Sequence, residues 1–276
     1  MVDTIKSVET NQQLKPKRKW WQYIYIIYDW TIFEQVLFLI NLALAIGFFI
    51  YGFFDLDSIF KDDQTKAYAI NCISLVANVT NIFSIILGAK KKISTFTWGL
   101  IACATLGVTS FLQGATGSWI LYWVVQMPLQ LVGIYNWRKH STNKVDIAPK
   151  SMKWWHFLIV AICIAGFISL FSWVDSLPQF QQAWYGKDYV PPDKYPIAIY
   201  ISDAGVLVLG IVAMTMMTLR YREQWILWFL LDVCCIVLWS INFNIQILIM
   251  SIAALINAIY GLIVWYLASH NKNVQK

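Results

Sequence analysis

Residues 196–241 read PIAIYISDAGVLVLGIVAMTMMTLRYREQWILWFLLDVCCIVLWSI. Two apolar runs, 196–218 and 224–241, flank a five-residue connection holding Arg220 and Arg222. A helix crossing a bilayer needs about 20 mostly apolar residues. The stretch therefore reads as two spans joined by a tight basic loop. Nothing in it alternates like a barrel strand. Lipid leaves free backbone groups unsatisfied, so each run must be helical.

Working outward, the same reading gives eight spans near 33–54, 67–89, 93–113, 118–137, 154–174, 196–218, 224–241 and 245–268. The third and fourth meet at Gly114-Ala115-Thr116-Gly117, and the last two meet around Asn242-Phe243-Asn244. Composition agrees. Of 276 residues, 59% are apolar and only 13% charged, against about 25% charged in globular proteins. These values exclude a soluble enzyme, a disordered chain and a disulfide scaffold. The fold class expected is an all-α polytopic membrane protein.

Loop charge orients the chain. The N-terminus, the even-numbered loops and the C-terminus hold seventeen of the Lys and Arg residues, including Lys15, Lys17, Arg18, Lys19, Lys90, Lys91 and Lys92. The other side holds only Lys61, Lys66, Lys187 and Lys194, with seven Asp. Positive-inside logic places both termini in the cytoplasm of a cell whose plasma membrane the chain crosses. No cleaved signal peptide is expected. Residues 20–30, rich in Trp and Tyr after a basic cluster, read as an interfacial helix or as an aromatic belt leading into the first span.

Span four contains Gln130, Gly133 and Trp137, and span eight contains Asn257, Gly261 and Trp265. Both end in Gly-x-x-x-Trp with a carboxamide one turn earlier. Spans three and seven both open on a basic loop and Trp, Trp98 in one and Trp225 with Trp228 in the other. Spans two to four thus match spans six to eight, four spans apart and parallel. This predicts a 3+1+3 parallel-repeat core, with span five as linker and an extra N-terminal helix. Parallel repeats are characteristic of transporters, with the substrate held between the halves near the midplane. The segments expected are 1–32 basic and interfacial, 33–66 the extra helix and outer loop, 67–137 the first repeat, 138–195 cytoplasmic loop, linker helix and outer loop, 196–268 the second repeat, and 269–276 a cytoplasmic tail.

Polar groups inside a span are costly and point to function. Asp203 and Asp232 are the carboxylates within spans. Helical spacing sorts the others into stripes: Asn71, Ser74, Asn78 and Asn81 on span two; Trp123, Gln126, Gln130 and Trp137 on span four; Trp225, Trp228, Asp232 and Cys235 on span seven; Asn257, Tyr260 and Trp265 on span eight. Carboxamides also glue helices together, the role expected of Asn71 and Asn81. Mixed aromatic and carboxamide stripes suit a flat heterocycle on a sugar: indoles stack on the ring, and Gln, Asn, Tyr and Asp bond the hydroxyls. The substrate-binding set expected is Asn78, Trp98, Trp123, Gln126, Gln130, Asp203, Trp225, Trp228, Asp232, Asn257 and Tyr260.

No Walker loop, His-Glu-x-x-His or Gly-x-Ser-x-Gly occurs. The five Cys lie in apolar runs without zinc-ligand spacing, and the three His sit at span ends. No catalytic residue, metal or cofactor is expected, and transport without an ATP module is passive or ion-coupled. An intramembrane enzyme using Asp203 and Asp232 as an acid–base pair is the remote alternative, and a scaffold or receptor is a further one.

Residues 207–228 (LVLGIVAMTMMTLRYREQWILW), residues 92–101 (KISTFTWGLI) and both Gly-x-x-x-Trp endings resemble the PnuC family of bacterial vitamin and nucleoside transporters, over residues 67–268. The resemblance implies a seven-helix core related to the SWEET sugar transporters, homotrimers in membrane lipid, no nucleic-acid partner, and facilitated diffusion of nicotinamide riboside by uniport. It also implies that a cytoplasmic kinase traps the substrate. Other branches carry thiamine, riboflavin or deoxynucleosides. This chain has Ala102 and Asp232 where nicotinamide riboside carriers commonly have Asn. An Asp at that position favours a pyridinium or thiazolium cation, or accepts hydrogen bonds from a neutral deoxynucleoside.

Overall fold

The computed structural model describes residues 30–59, 64–141, 149–186 and 196–273. The expected interfacial segment before Trp30 and the acidic outer loops around 60–63 and 187–195 lie outside the described residues. The helices are α1 (Ile32–Ile59), α2 (Gln64–Ala89), α3 (Ser94–Leu112), α4 (Thr116–Trp119), α5 (Met127–Lys139), α6 (Trp154–Asp175), α7 (Pro178–Tyr185), α8 (Pro196–Thr218), α9 (Gln224–Ile241) and α10 (Ile245–Asn273), with a π-helical stretch Ile120–Gln126 joining α4 to α5. Eight of the resulting segments are long and apolar enough to cross a membrane: Ile32–Gly52, Thr65–Ala89, Ser94–Leu112, Thr116–Lys139, Trp154–Asp175, Ile197–Thr218, Gln224–Ile241 and Ile245–Ser269. Each lies within a few residues of its expected place. Among the described residues there is no strand beyond one isolated bridge, Lys150 to Tyr221.

The chain divides into two compact units, 1–37 and 38–276. In the first, Thr31 and Glu34 form a reciprocal cap. The Thr31 N–H donates to the Glu34 carboxylate at 2.7 Å, and the Glu34 N–H donates to the Thr31 hydroxyl at 3.3 Å. This is the Thr-x-x-Glu capping box, which satisfies helix-start donors that have no partner in the preceding turn.

Within the second unit, carboxamides bind helices to one another. Asn41 of α1 donates to the Asn78 side chain, Asn78 donates to the Gln246 carbonyl at 2.9 Å, and Gln246 donates to the Ala45 carbonyl at 2.8 Å. Asn71 donates to the Phe49 carbonyl at 3.1 Å. In lipid such bonds join helices that the hydrophobic effect does not draw together.

The π stretch has a local cause. Pro128 cannot donate a hydrogen bond, and in a regular helix its ring would meet the carbonyl four residues back. The wide turn closes one residue earlier, with the Met127 N–H reaching the Tyr122 carbonyl. π turns of this kind insert a residue and re-aim the side chains around them.

Turn geometry recurs at an interval of 129 residues. Lys91 and Arg220 both adopt positive φ, as do Gly114 and Phe243. The Lys92 N–H reaches the Leu87 carbonyl and the Tyr221 N–H reaches the Met216 carbonyl, both at 2.9 Å. At the other ends, the Ala115 N–H reaches the Ser110 carbonyl at 2.9 Å and the Asn244 N–H reaches the Trp239 carbonyl at 3.1 Å. All four are left-handed C-terminal caps in which a six-residue bond closes the last helical turn.

One element was absent from the sequence reading. The expected outer loop after span five contains α7, opened by Pro178 and ended by Gly186 at φ 90. Gln181 of α7 donates to the Asp175 carbonyl at 2.8 Å, which seats the short helix at the end of α6.

Candidate substrate site

A cavity lies between α2, α3, the π stretch, α5, α8, α9 and α10. Six of the expected residues line it: Gln126, Gln130, Trp225, Trp228, Asp232 and Asn257. Trp225, Trp228 and Asp232 stand on α9 at helical spacing, so two indoles and a carboxylate share one wall. Across from them Gln126 and Gln130, four residues apart, project from the π stretch and α5. Both amides meet the Cys103 thiol, which donates to Gln126 Oε1 at 3.3 Å and accepts from Gln130 Nε2 at 3.7 Å. On α10, Asn257 donates to the Ile85 carbonyl at 3.0 Å. Its Oδ1 and the Trp225 indole N–H are buried without a protein partner. The wall thus offers one acceptor and one donor that protein geometry leaves unused, and buried polar groups of this kind call for a partner.

Trp225 joins the cavity wall to a buried aromatic cluster. Trp137, Trp225, Trp265 and Phe96 form one buried cluster, with Trp225 to Trp265 and Trp137 to Trp265 ring centroids both at 6.0 Å. The two Gly-x-x-x-Trp endings explain the closeness. A Cβ on Gly133 would collide with the Phe96 ring, and one on Gly261 with the Trp225 indole. Each glycine therefore lets a ring lie flat against its helix. Each terminal Trp then donates to the far end of another helix: Trp137 to the Met217 carbonyl at 3.0 Å, Trp265 to the Gly88 and Ala89 carbonyls at 3.2 Å.

The other five expected residues are not brought to this cavity. Asn78 is held in the carboxamide chain to Asn41 and Gln246. Trp98 stacks on Phe83, with centroids 4.7 Å apart. Trp123 donates to the Ala104 carbonyl at 3.1 Å. Asp203, 2% exposed, accepts from the Gly117 N–H, the Ser118 hydroxyl and, at 2.9 Å, the Ser118 N–H, so it caps the start of α4. Tyr260 packs against the buried aromatic cluster.

Sequence reasoning missed Asn81, Ser84, Thr95, Cys103, Tyr122 and Ser251 on the wall. Asn81 stood on the polar stripe of span two but was assigned to helix gluing. In the structure Asn78 is engaged by Asn41 and the Gln246 carbonyl, whereas Asn81, one turn further along α2, lines the cavity. The small hydroxyls carried no pattern that separated them from packing residues.

A family model described as nicotinamide mononucleotide transporter matches residues 71–267. The chain belongs to the PnuC family. The nicotinamide riboside transporter PnuC of Neisseria mucosa is 28% identical over 259 residues, 89% of this chain and 85% of that protein. The protein of the same name from Escherichia coli K12 is 28% identical over 184 residues, 63% of this chain and 77% of its own. The crystal structure of the vitamin B3 transporter PnuC matches with a TM-score of 0.65 at 27% identity, over 88% of this chain and 94% of that one. The region matched by the PnuC family model takes in the whole cavity wall, from Asn81 on α2 to Ala258 on α10. Ala102 and Asp232, where this chain departs from the expected pattern, both line that wall.

Proposed function

We propose that this chain carries nicotinamide riboside across the membrane, bound between Trp225 and Trp228 on one wall and Gln126, Gln130 and Asn257 on the others. The observation that carries the reading is the chemistry of the cavity wall. It holds two indoles, four carboxamides and one carboxylate, and among its residues there is no Lys, Arg or His. Stacking on indole suits the pyridinium ring, strengthened by cation–π attraction. The unused Asn257 Oδ1 and Trp225 N–H suit ribose hydroxyls. A phosphate would require a cationic or multiply donating partner, so the wall favours the riboside over the mononucleotide.

The 129-residue recurrence of turn geometry and the matched Trp137 and Trp265 bonds support a 3+1+3 parallel-repeat core of the SWEET kind, with α1 as an addition and α6 as linker. The basic loops support cytoplasmic termini. Trapping by a cytoplasmic kinase and assembly as a homotrimer belong to the same reading.

Tryptophan-fluorescence titration of detergent-purified protein tests it, with nicotinamide riboside, its 5′-phosphate, deoxyadenosine and thiamine. Nicotinamide riboside is expected to bind at least tenfold more tightly than the others. Preferential binding of deoxyadenosine would instead make Asp232 an acceptor for a neutral nucleoside, and the proposed substrate would be wrong.

A further inference from the structure

Asp232 lies on the cavity wall at 7% exposure. Among the described residues, no donor lies within hydrogen-bond reach of its carboxylate, and no Lys, Arg or His lines the cavity. Four of the hydroxyl and amide groups on the wall donate elsewhere. Ser251 donates to the Ile247 carbonyl at 2.8 Å and Asn257 to the Ile85 carbonyl at 3.0 Å. Ser84 and Thr95 donate to each other's carbonyls at 2.9 and 2.7 Å. The titratable groups on the surrounding elements are Cys103 on α3, Tyr122 on the π stretch, and Cys234 and Cys235 on α9 itself. Asp203 on α8 is occupied by the α4 start. α2 and α10 bring only neutral polar groups, Asn81, Ser84, Ser251 and Asn257. None of these is a cation that could balance a carboxylate.

A lone charge in a membrane interior is costly unless something neutralises it. A carrier must turn its site from one side of the membrane to the other both loaded and empty. With a bare Asp232, the empty protein would turn with an uncompensated negative charge in the cavity. Two species neutralise it: a proton, or a cationic substrate.

We propose that Asp232 makes this carrier an exchanger of one proton for one cationic nucleoside. The proposal rests on the reading of the substrate as nicotinamide riboside. Facing outward, the pyridinium cation enters between Trp225 and Trp228. The carboxylic acid of Asp232 releases its proton to water on that side, and the carboxylate pairs with the ring. The loaded site is neutral when it turns. Facing inward, the cation leaves and the carboxylate takes a proton from the cytoplasm. The neutral empty site turns back. One cation enters, one proton leaves, and no net charge crosses.

Simple uniport of a cation would be driven by the membrane potential instead, about fifty-fold in accumulation at 100 mV. Proteoliposomes loaded with buffer and supplied with radiolabelled nicotinamide riboside separate the two. The expected result is no added accumulation under an inside-negative potential with pH clamped, and about tenfold accumulation when the lumen is one pH unit more acidic than the outside. Accumulation that follows the potential and ignores the pH gradient overturns the proposal. Asp232→Asn is expected to reverse the pattern, following the potential and losing the pH drive. A second measurement does not depend on that variant folding. Purified wild-type protein in weakly buffered solution with a pH dye is expected to release about one proton for each nicotinamide riboside bound. Binding without proton release overturns the exchange alone. Absence of binding overturns the substrate reading, and the exchange with it.

Discussion

Asn78 and Asn81 stand three residues apart on one helix and do different work. Asn78 is fully buried in bonds that join α1, α2 and α10, whereas Asn81 lines the cavity. Asn78→Ala is therefore expected to lower the thermal midpoint of the detergent-solubilised protein, since a buried acceptor and donor lose their partners at about 1–3 kcal/mol. Asn81→Ala is expected to leave that midpoint in place and weaken nicotinamide riboside binding. The opposite pattern in a paired melting and titration experiment would return both residues to their sequence-based roles. Trp228 carries a sharper expectation. Stacking of a heterocycle on an aromatic side chain is worth about 1–3 kcal/mol per ring, so Trp228→Ala should raise the Kd roughly five- to 150-fold. Unchanged affinity by calorimetry would remove the indole from the site. Tyr185 at the end of α7 differs again. Its hydroxyl accepts from the Trp119 indole at 3.1 Å and lies 3.3 Å from the Thr116 hydroxyl. Burial is the main cause that pushes its phenol up to about 12. The neutral form is favoured in the fold, so its contribution to seating α7 is complete below pH 10 and is lost as pH rises through about 12.

At the scale of elements, the two Gly-x-x-x-Trp helix ends perform matching tasks. α5 reaches the end of α8 through Trp137, and α10 reaches the end of α2 through Trp265. The glycines admit Phe96 and Trp225 alongside. Trp265→Phe keeps most of the ring but leaves the Gly88 and Ala89 carbonyls without their donor. A fall in thermal midpoint is expected, matched by Trp137→Phe, and in each case of the order of 1 kcal/mol. If one variant melts like wild type and the other does not, the two ends are not equivalent. The sequence exposed this pair because glycine and tryptophan recur at the same spacing, each preceded by a carboxamide one turn earlier. It did not expose α7, eight residues of mixed polarity whose helix depends on Pro178 at its start and on contacts with the end of α6. Nor did it expose the π stretch, whose cause is a single proline but whose width depends on carbonyls one turn away.

At the scale of the whole molecule, eight apolar segments and an uneven loop charge describe a multi-pass membrane protein of the PnuC family. Orientation is tested with cysteine labels. Lys139 and Gln182 are exposed at opposite ends of the bundle. An impermeant maleimide on intact cells is expected to label Gln182→Cys and to label Lys139→Cys only after permeabilisation. Labelling in the reverse order would place the termini outside.

The sequence by itself determined the number and limits of the spans. Bilayer thickness and the need to satisfy every backbone group leave a long apolar run only one form, whatever surrounds it. It also determined the paired helix ends and the enrichment of one helix face in Trp and Asp, because local spacing fixes which residues share a face. Tertiary structure alone decided which polar residue looks into the cavity and which is consumed by a neighbour. A carboxamide or carboxylate has the same chemistry in either role, and Asp203 and Asp232 are alike as letters. One is enclosed by the donors at a helix start and the other is left facing the cavity without a counterion. That difference comes from helices brought together from distant parts of the chain, which no local pattern encodes.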